Sequence, residues 1–342
     1  MIAFTRADGA TTATEGARMP DGADASNSLA DDVNVIAAHY GVSAADVTPV
    51  PQQGQVNLTV FLGQDLVLRI PRKPVHEGLL AKEAAVIPLA QSAGVPTATL
   101  VSYDASRKTV DVPYMILERV HGPTLGEFGY EPGASVRTHA SLAEILAVLH
   151  ELRRNDIGSI AGVSEPSEFA AERLVESLVK AGELGRIQAR WLTDWFAFLE
   201  TQGASIAESV LLHGDVSPSN LIVDGKGQVA AIIDWGKAGW GDPVRDFLYL
   251  PVRALPGLLS GYRSATQSRG STSDICSEGR SLEARALWYQ LFWALAKLRG
   301  KPSTSEKRHW SAPRQARFFE ILRFVSTAHP SPWSELLKGP VS

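Results

Sequence analysis

Residues 211–236 read LLHGDVSPSNLIVDGKGQVAAIIDWG, and three side chains in that stretch could do chemistry together: Asp215, Asn220 and Asp234. Asp215 and Asn220 stand five positions apart on one polar loop, and Asp234 closes the apolar run that follows. A carboxylate at the edge of a core is costly unless something compensates it. Phosphoryl transfer gives such a reason. A nucleotide triphosphate repels a second electron-rich centre until metal ions neutralise it, so the reaction needs oxygen ligands for metal and an acceptor for the hydroxyl's proton. One loop can aim a carboxylate at the hydroxyl and an amide oxygen at a metal. A carboxylate ending the next strand can reach the same ion, and Mg2+ prefers carboxylate and phosphate oxygens.

The elements that must hold these groups follow from the apolar pattern. LIVD, the turn GKG and QVAAIID form a short β-pair around the motif. Upstream, VTPVPQQGQVNLTVFLG predicts two strands joined by a Gln/Gly turn, DLVLRIP a third containing Arg69, and TATLVSYD and VPYMILERV two more. HEGLLAKEAAVIPLAQSAG has helical composition, with Pro88 expected to kink it or end its regular part. A first helix is expected from Ser28, as its cap, to Tyr40, where Gly41 stops it. After HGPTL the chain is mostly helical. SLAEILAVLHEL is strongly periodic, and residues 167–212 read as two or three helices. Asp242-Pro243 suits a helix start.

These motifs resemble the aminoglycoside phosphotransferase and choline kinase group, which shares the protein kinase fold. HGDVSPSN is similar to the family's HGDxxxxN loop at His213, Gly214, Asp215 and Asn220, and IIDWGKAGWGDPVRDF to its second acidic motif at Asp234. A lone HGD would be weak; two motifs with a strand–turn–strand between them are specific. QQGQVNLTV resembles the phosphate-covering hairpin, with Gly54 at the turn and Asn57 after it. VLRIP resembles the third strand, with Arg69 where protein kinases carry lysine and Glu83 as its helical partner. ILERV resembles the hinge, where the Glu118 carbonyl and Val120 amide would hold a nucleotide base through the backbone. The likeness covers roughly residues 45–255.

The resemblance implies an α+β, two-lobed fold: a small antiparallel β lobe over residues 29–121 that binds nucleotide, and a larger, mostly helical lobe over 122–342 that binds the acceptor. It implies transfer of the terminal phosphate of ATP or GTP to a hydroxyl, with Asp215 catalytic, Asn220 and Asp234 holding Mg2+, and Gly54, Asn57, Arg69, Glu83, Glu118 and Val120 holding the nucleotide. An ordinary carboxylate, of pKa about 4, is a weak base for an alcohol. A loose transition state lets the hydroxyl lose its proton late. Complete metal ligands argue against an inactive nucleotide-binding module, and GDPVRDF following so soon after Asp234 leaves no protein-kinase-type activation segment.

Other polar residues have structural readings. His213 is expected to bond backbone around its loop, His150 to pack beneath it, Asp242 to cap a helix, and Asp246 to brace the loop by accepting backbone N–H groups. Of Trp288, Tyr289, Phe292 and Trp293, most should be core, with one or two free to line an acceptor pocket.

The acceptor is less legible. From residue 251 onward there are fourteen Lys and Arg against six Asp and Glu, unfavourable for a polycation if those charges face the cleft; residues 151–212 partly offset this with ten acidic against six basic. The balance leans toward a neutral or mildly charged antibiotic, of macrolide or nucleoside type, with an aminoglycoside close behind. Choline, a sugar or an amino alcohol remains open.

Composition excludes other classes. At 342 residues, 44% hydrophobic and 20% charged, the chain is long enough for a sizeable core. A formal charge of -4 gives no reason to expect nucleic acid or membrane partners. The single Cys276 excludes an internal disulfide framework. No signal-like or membrane-length apolar run is present, so a reduced, cytoplasmic location is the simplest reading. Residues 1–28, rich in Ala, Gly, Thr and Asp, are expected to be mostly disordered.

Overall fold

Strand period decides which face of the first lobe each residue serves. The computed structural model describes residues 22–51, 53–129, 136–164, 169–203, 209–270, 280–298 and 316–339. Cys276 and residues 1–21 lie outside them. Strands β1 (Val47–Pro49), β2 (Asn57–Leu62), β3 (Leu66–Pro71), β4 (Leu100–Asp104) and β5 (Tyr114–Glu118) form one antiparallel sheet in the order β1-β2-β3-β5-β4. Leu68 and Ile70 of β3 join Ile116 of β5 in an apolar cluster with Val33 and Ile36 of helix α1 (Gly22–His39). Successive strand residues point to opposite faces, so Val67 and Arg69 turn the other way, toward helix α2 (Glu77–Ser92). On that side Met115 and Leu117 pack with Leu80, Val86 and Ile87 in a larger core that continues into the helical lobe.

At Ser28 the expectation needs correction, and at Pro88 one of the two expected alternatives does not hold. Helix α1 begins at Gly22, so Ser28 lies inside it instead of capping it, and backbone helix reaches into the stretch expected to be disordered. Pro88 does not end α2, which runs on to Ser92. Proline there forfeits one N–H bond, but Leu80, Val86, Ile87 and Ala90 are buried along the helix and hold it in place. Burial outweighs the local penalty.

Past the hinge come α3 (Leu125–Phe128), α4 (Val136–Leu149), α5 (Arg154–Ile157), α6 (Ala171–Lys180) and α7 (Arg186–Gln202). The opening motif is framed by two ribbons: β6 (Val210–Leu212) pairs with β9 (Gly239–Gly241), and β7 (Leu221–Val223) with β8 (Val229–Ile232), all antiparallel. Helices α8 (Leu255–Ser268), α9 (Ser281–Ala296), α10 (Ala316–Val325) and α11 (Trp333–Leu336) complete the lobe, α4 packing on α8 and α7 on α9. The fold is α+β and two-lobed. No helix among the described residues is long and apolar enough to cross a membrane.

Candidate active site

The loop 213–220 leaves β6 and enters β7, and its shape is fixed from below. Asp242 opens a short 3-10 turn, Pro243–Phe247, by accepting the Val244 N–H at 3.0 Å. Its carboxylate also pairs with Arg285 at 3.0 Å. That turn delivers the fully buried Asp246, whose two oxygens accept the His213 N–H (2.9 Å) and the Gly214 N–H (2.7 Å). His150 Nε2 lies 3.1 Å from Asp246 and its Nδ1 2.9 Å from the Tyr262 hydroxyl. Burial alone would raise the Asp246 carboxyl; the His150 hydrogen bond and charge lead the effects that outweigh it and hold it below the usual range.

Removing this brace should be expensive. Asp246→Ala strands the buried His213 amide, the half-buried Gly214 amide and a buried imidazole, and a loss of about 3–5 kcal/mol is expected in urea denaturation. A depressed carboxyl contributes stability above its unfolded value of 3.8 and loses it as pH falls through the lower folded value. The gap between wild type and variant should therefore be full at neutral pH and shrink below about pH 4.

Within the loop, His213 is buried with Nε2 3.1 Å from the Ile233 carbonyl and Nδ1 3.3 Å from the Asp215 amide. A carbonyl can only accept, so Nε2 carries the proton and Nδ1 accepts from Asp215. Burial lowers the His213 pKa, which keeps this neutral tautomer. Its ring packs edge-on against the buried Trp235, centroids 4.6 Å apart, and the Trp235 indole donates to Thr97 at 2.9 Å. The motif's histidine and tryptophan are thus structural supports.

Gly214 has φ +79°, and a Cβ there would come 2.2 Å from the Lys237 carbonyl oxygen. Both the left-handed backbone and the close approach require glycine. Gly214→Ala is expected to displace the loop, lowering turnover at least tenfold and stability by about 1–3 kcal/mol; steady-state kinetics and urea denaturation check it. Beyond the glycine, Asp215 pairs with Lys237 Nζ at 3.0 Å. Sequence reasoning missed Lys237, whose one visible signal was its position three residues after Asp234.

Asn220 is buried, and its side-chain N–H donates to the Asp215 carbonyl at 2.9 Å. Its amide oxygen is thereby left to face elsewhere. The Asn220 carbonyl accepts the Ile233 N–H at 2.9 Å, which ties the loop to the residue before Asp234. Asp234 adopts φ +70°, uncommon for a residue other than glycine. Its half-exposed carboxylate meets Arg69 at 3.1 Å. Burial would raise the Asp234 carboxyl, but the Arg69 charge and hydrogen bond outweigh it and hold it low.

Arg69 bonds Glu83 with its other terminal nitrogen, so the expected strand–helix pair forms. The buried Glu83 also accepts the Trp235 N–H at 3.2 Å. Burial pushes its carboxyl up to about 7 against the pull of Arg69. One network therefore runs from α2 through β3 to Asp234 and Trp235, and from Ile233 back to Asn220 and Asp215.

The remaining expected nucleotide contacts lie apart from that network. The Gly54 carbonyl accepts from Arg72 Nε at 3.2 Å, and Arg72 also reaches Gln53 at 2.9 Å. Arg72 was not anticipated, although VLRIPR displays it two residues past the end of the arginine-bearing LRI. Asn57 opens β2 opposite Pro71; it is buried and its side-chain oxygen has no hydrogen-bond partner. At the hinge, the Glu118 amide donates to Thr99 (2.8 Å) and the Arg119 amide to Asp65 (2.7 Å). No hydrogen bond engages the Val120 amide among the described residues. Gly122, with φ +136°, lets the chain pass where a Cβ would meet the Val223 carbonyl at 2.7 Å.

The donor chemistry fits Mg2+ held jointly with phosphates. One carboxylate and one amide oxygen are hard ligands of the right kind. No group of three or more His, Cys, Asp or Glu side chains among the described residues could hold a metal ion by itself. A nucleotide would supply the remaining oxygens.

A small β lobe joined to a helical lobe, with acidic residues of two adjoining segments at their junction, defines the kinase-like class. The phosphotransferase enzyme family matches residues 46–271, and the chain belongs to it. Among curated proteins, it is 31% identical over 112 residues to the uncharacterised YcbJ of Bacillus subtilis, covering 32% of this chain and 35% of that protein. It is 24% identical over 169 residues to viomycin phosphotransferase of Streptomyces vinaceus, covering 45% and 54%. The chain thus spans a third to a half of these relatives' lengths. Among solved structures, the GDP complex of a mutant aminoglycoside 2'-phosphotransferase IIIa superposes with TM-score 0.61 at 21% identity, covering 88% of this chain and 99% of that one. The macrolide 2'-phosphotransferase of Brachybacterium faecium gives TM-score 0.59 at 19% identity, covering 91% and 98%. These likenesses establish the fold.

Proposed function

We propose that the protein transfers the terminal phosphate of ATP or GTP to a hydroxyl of a small molecule, an antibiotic in the first instance, in a cytoplasmic setting. The observation that supports this most is the continuous network linking Asp215, Asn220 and Asp234 to Arg69 and Glu83. Relatives named for viomycin, aminoglycosides and macrolides support an antibiotic acceptor, and a GDP complex among them supports admitting guanine nucleotides.

In this reading Asp215 orients the hydroxyl and takes its proton late in the step. Asn220 and Asp234 would hold Mg2+, which neutralises phosphate charge when bound. Arg69, positioned by Glu83, offers its guanidinium to phosphate oxygens. The hinge backbone at Glu118 and Val120 meets the base, and the loop at Gly54 and Asn57 covers the phosphates. A screen with terminally radiolabelled ATP and GTP against antibiotics, choline and simple sugars tests it. Label on a hydroxyl compound is expected; no labelled product together with no Mg-nucleotide binding would favour a non-catalytic module.

A further inference from the structure

Resting on that reading, we infer that the acceptor is an anionic hydroxy compound with a flat apolar body, held by Arg245 against an aromatic wall. Beside the loop lies an open cavity of about 260 Å³, bordered by Gly214 and Lys237 and so adjacent to Asp215. Its aromatic wall is Phe169, Tyr249 and Trp293. Tyr249 and Trp293 meet edge to face at 5.4 Å. Trp293 comes from the aromatic run on α9, whose other members pack on one another, Trp288 stacking on Phe292 at 5.5 Å.

Among the described residues, every charged side chain lining the cavity is a cation: Lys82, Lys237 and Arg245. Two are engaged. Lys82 Nζ donates to the Ala238 carbonyl at 3.0 Å, and Lys237 neutralises Asp215. Arg245 differs. Its guanidinium lies over the Phe169 ring at 4.7 Å and has no hydrogen bond or ion pair to any described residue. The nearby carboxylates are already taken, Asp242 by Arg285 and Asp246 by His150 and the loop amides. A guanidinium held over an aromatic ring and without a hydrogen-bond partner still has N–H groups to offer a planar anion such as a carboxylate. A polycationic acceptor would instead bring like charge to Lys82 and Arg245, beside a Lys237 already paired with Asp215.

Matched probes test this: phenyl β-glucuronide (anionic), phenyl β-glucoside (neutral) and kanamycin (polycationic). Binding is measured by calorimetry and phosphate transfer by label from nucleotide, on wild type, Arg245→Gln and Arg245→Lys, with circular dichroism confirming each fold. The glucuronide is expected to bind about tenfold or more tightly than the glucoside, as a charge-assisted hydrogen bond allows. Arg245→Gln should erase that ratio and Arg245→Lys should restore part of it. Preference for kanamycin, a ratio unchanged in Arg245→Gln, or no binding of the glucuronide at millimolar concentration would each overturn the inference. Arg245-dependent binding without any phosphate transfer, together with no Mg-nucleotide binding, would uphold the cavity's charge preference and sink the kinase reading instead.

Discussion

Asp215→Ala is expected to lower phosphate transfer by about 10²–10⁴-fold, the range for a positioned general base, while Mg-nucleotide affinity stays within a fewfold of wild type. The separation follows from where the groups lie. Asp215 pairs with Lys237 on the cavity side of the loop, while its backbone carbonyl, which alanine retains, still accepts the Asn220 amide. The proposed metal ligands therefore keep their support. Stability should change by no more than about 1 kcal/mol, because Lys237 is exposed and an exposed ion pair contributes little. Rapid-quench turnover with calorimetric nucleotide titration reads both quantities. Wild-type turnover in the variant would remove the catalytic role.

The second large effect belongs to Asp234. Asp234→Ala is expected to cut transfer by about 10³-fold or more and to abolish the Mg2+ dependence of nucleotide binding, since a bound cation supplies several kcal/mol of charge stabilisation. The same substitution removes one of the two carboxylates facing Arg69 but leaves the buried Glu83 pair intact. Folding stability should therefore fall by only about 1 kcal/mol, discounted because the Asp234 side chain is half exposed. Nucleotide titrations with and without chelator, beside thermal denaturation, distinguish the two effects. A large stability loss with Mg2+-dependent binding preserved would make Asp234 a structural residue.

How much was legible depended on whether the determinant was local. Asp215 and Asn220 share one loop, and the resemblance of VLRIP to the family's third strand supplied the pair of Arg69 with Glu83, which forms. Asp246 was expected to brace the loop, and Asp242-Pro243 separately marked the start of the turn that carries it. The contact between Arg69 and Asp234 spans 165 positions, and nothing in local spacing announces it. The Lys237–Asp215 pair depends on a 3-10 turn bringing a lysine back over Gly214. Counting charges along the helical lobe hinted at a cationic environment, but only packing selects Lys82, Lys237 and Arg245 to line the cavity. The Ser28 expectation failed because a capping-type residue also tolerates a helix interior, and here the helix starts six residues earlier.

All of this depends on metal-bound phosphate reaching both Asn220 and Asp234 at once. Electron paramagnetic resonance of Mn2+·ATP, with Mn2+ in place of Mg2+, bound to wild type, Asn220→Ala, Asp234→Ala and Asp215→Asn measures that most directly. The wild-type and Asp215→Asn spectra should coincide, while the Asn220 and Asp234 variants each show an altered or absent protein-bound signal. Spectra identical across all four proteins would contradict a metal held by these two side chains.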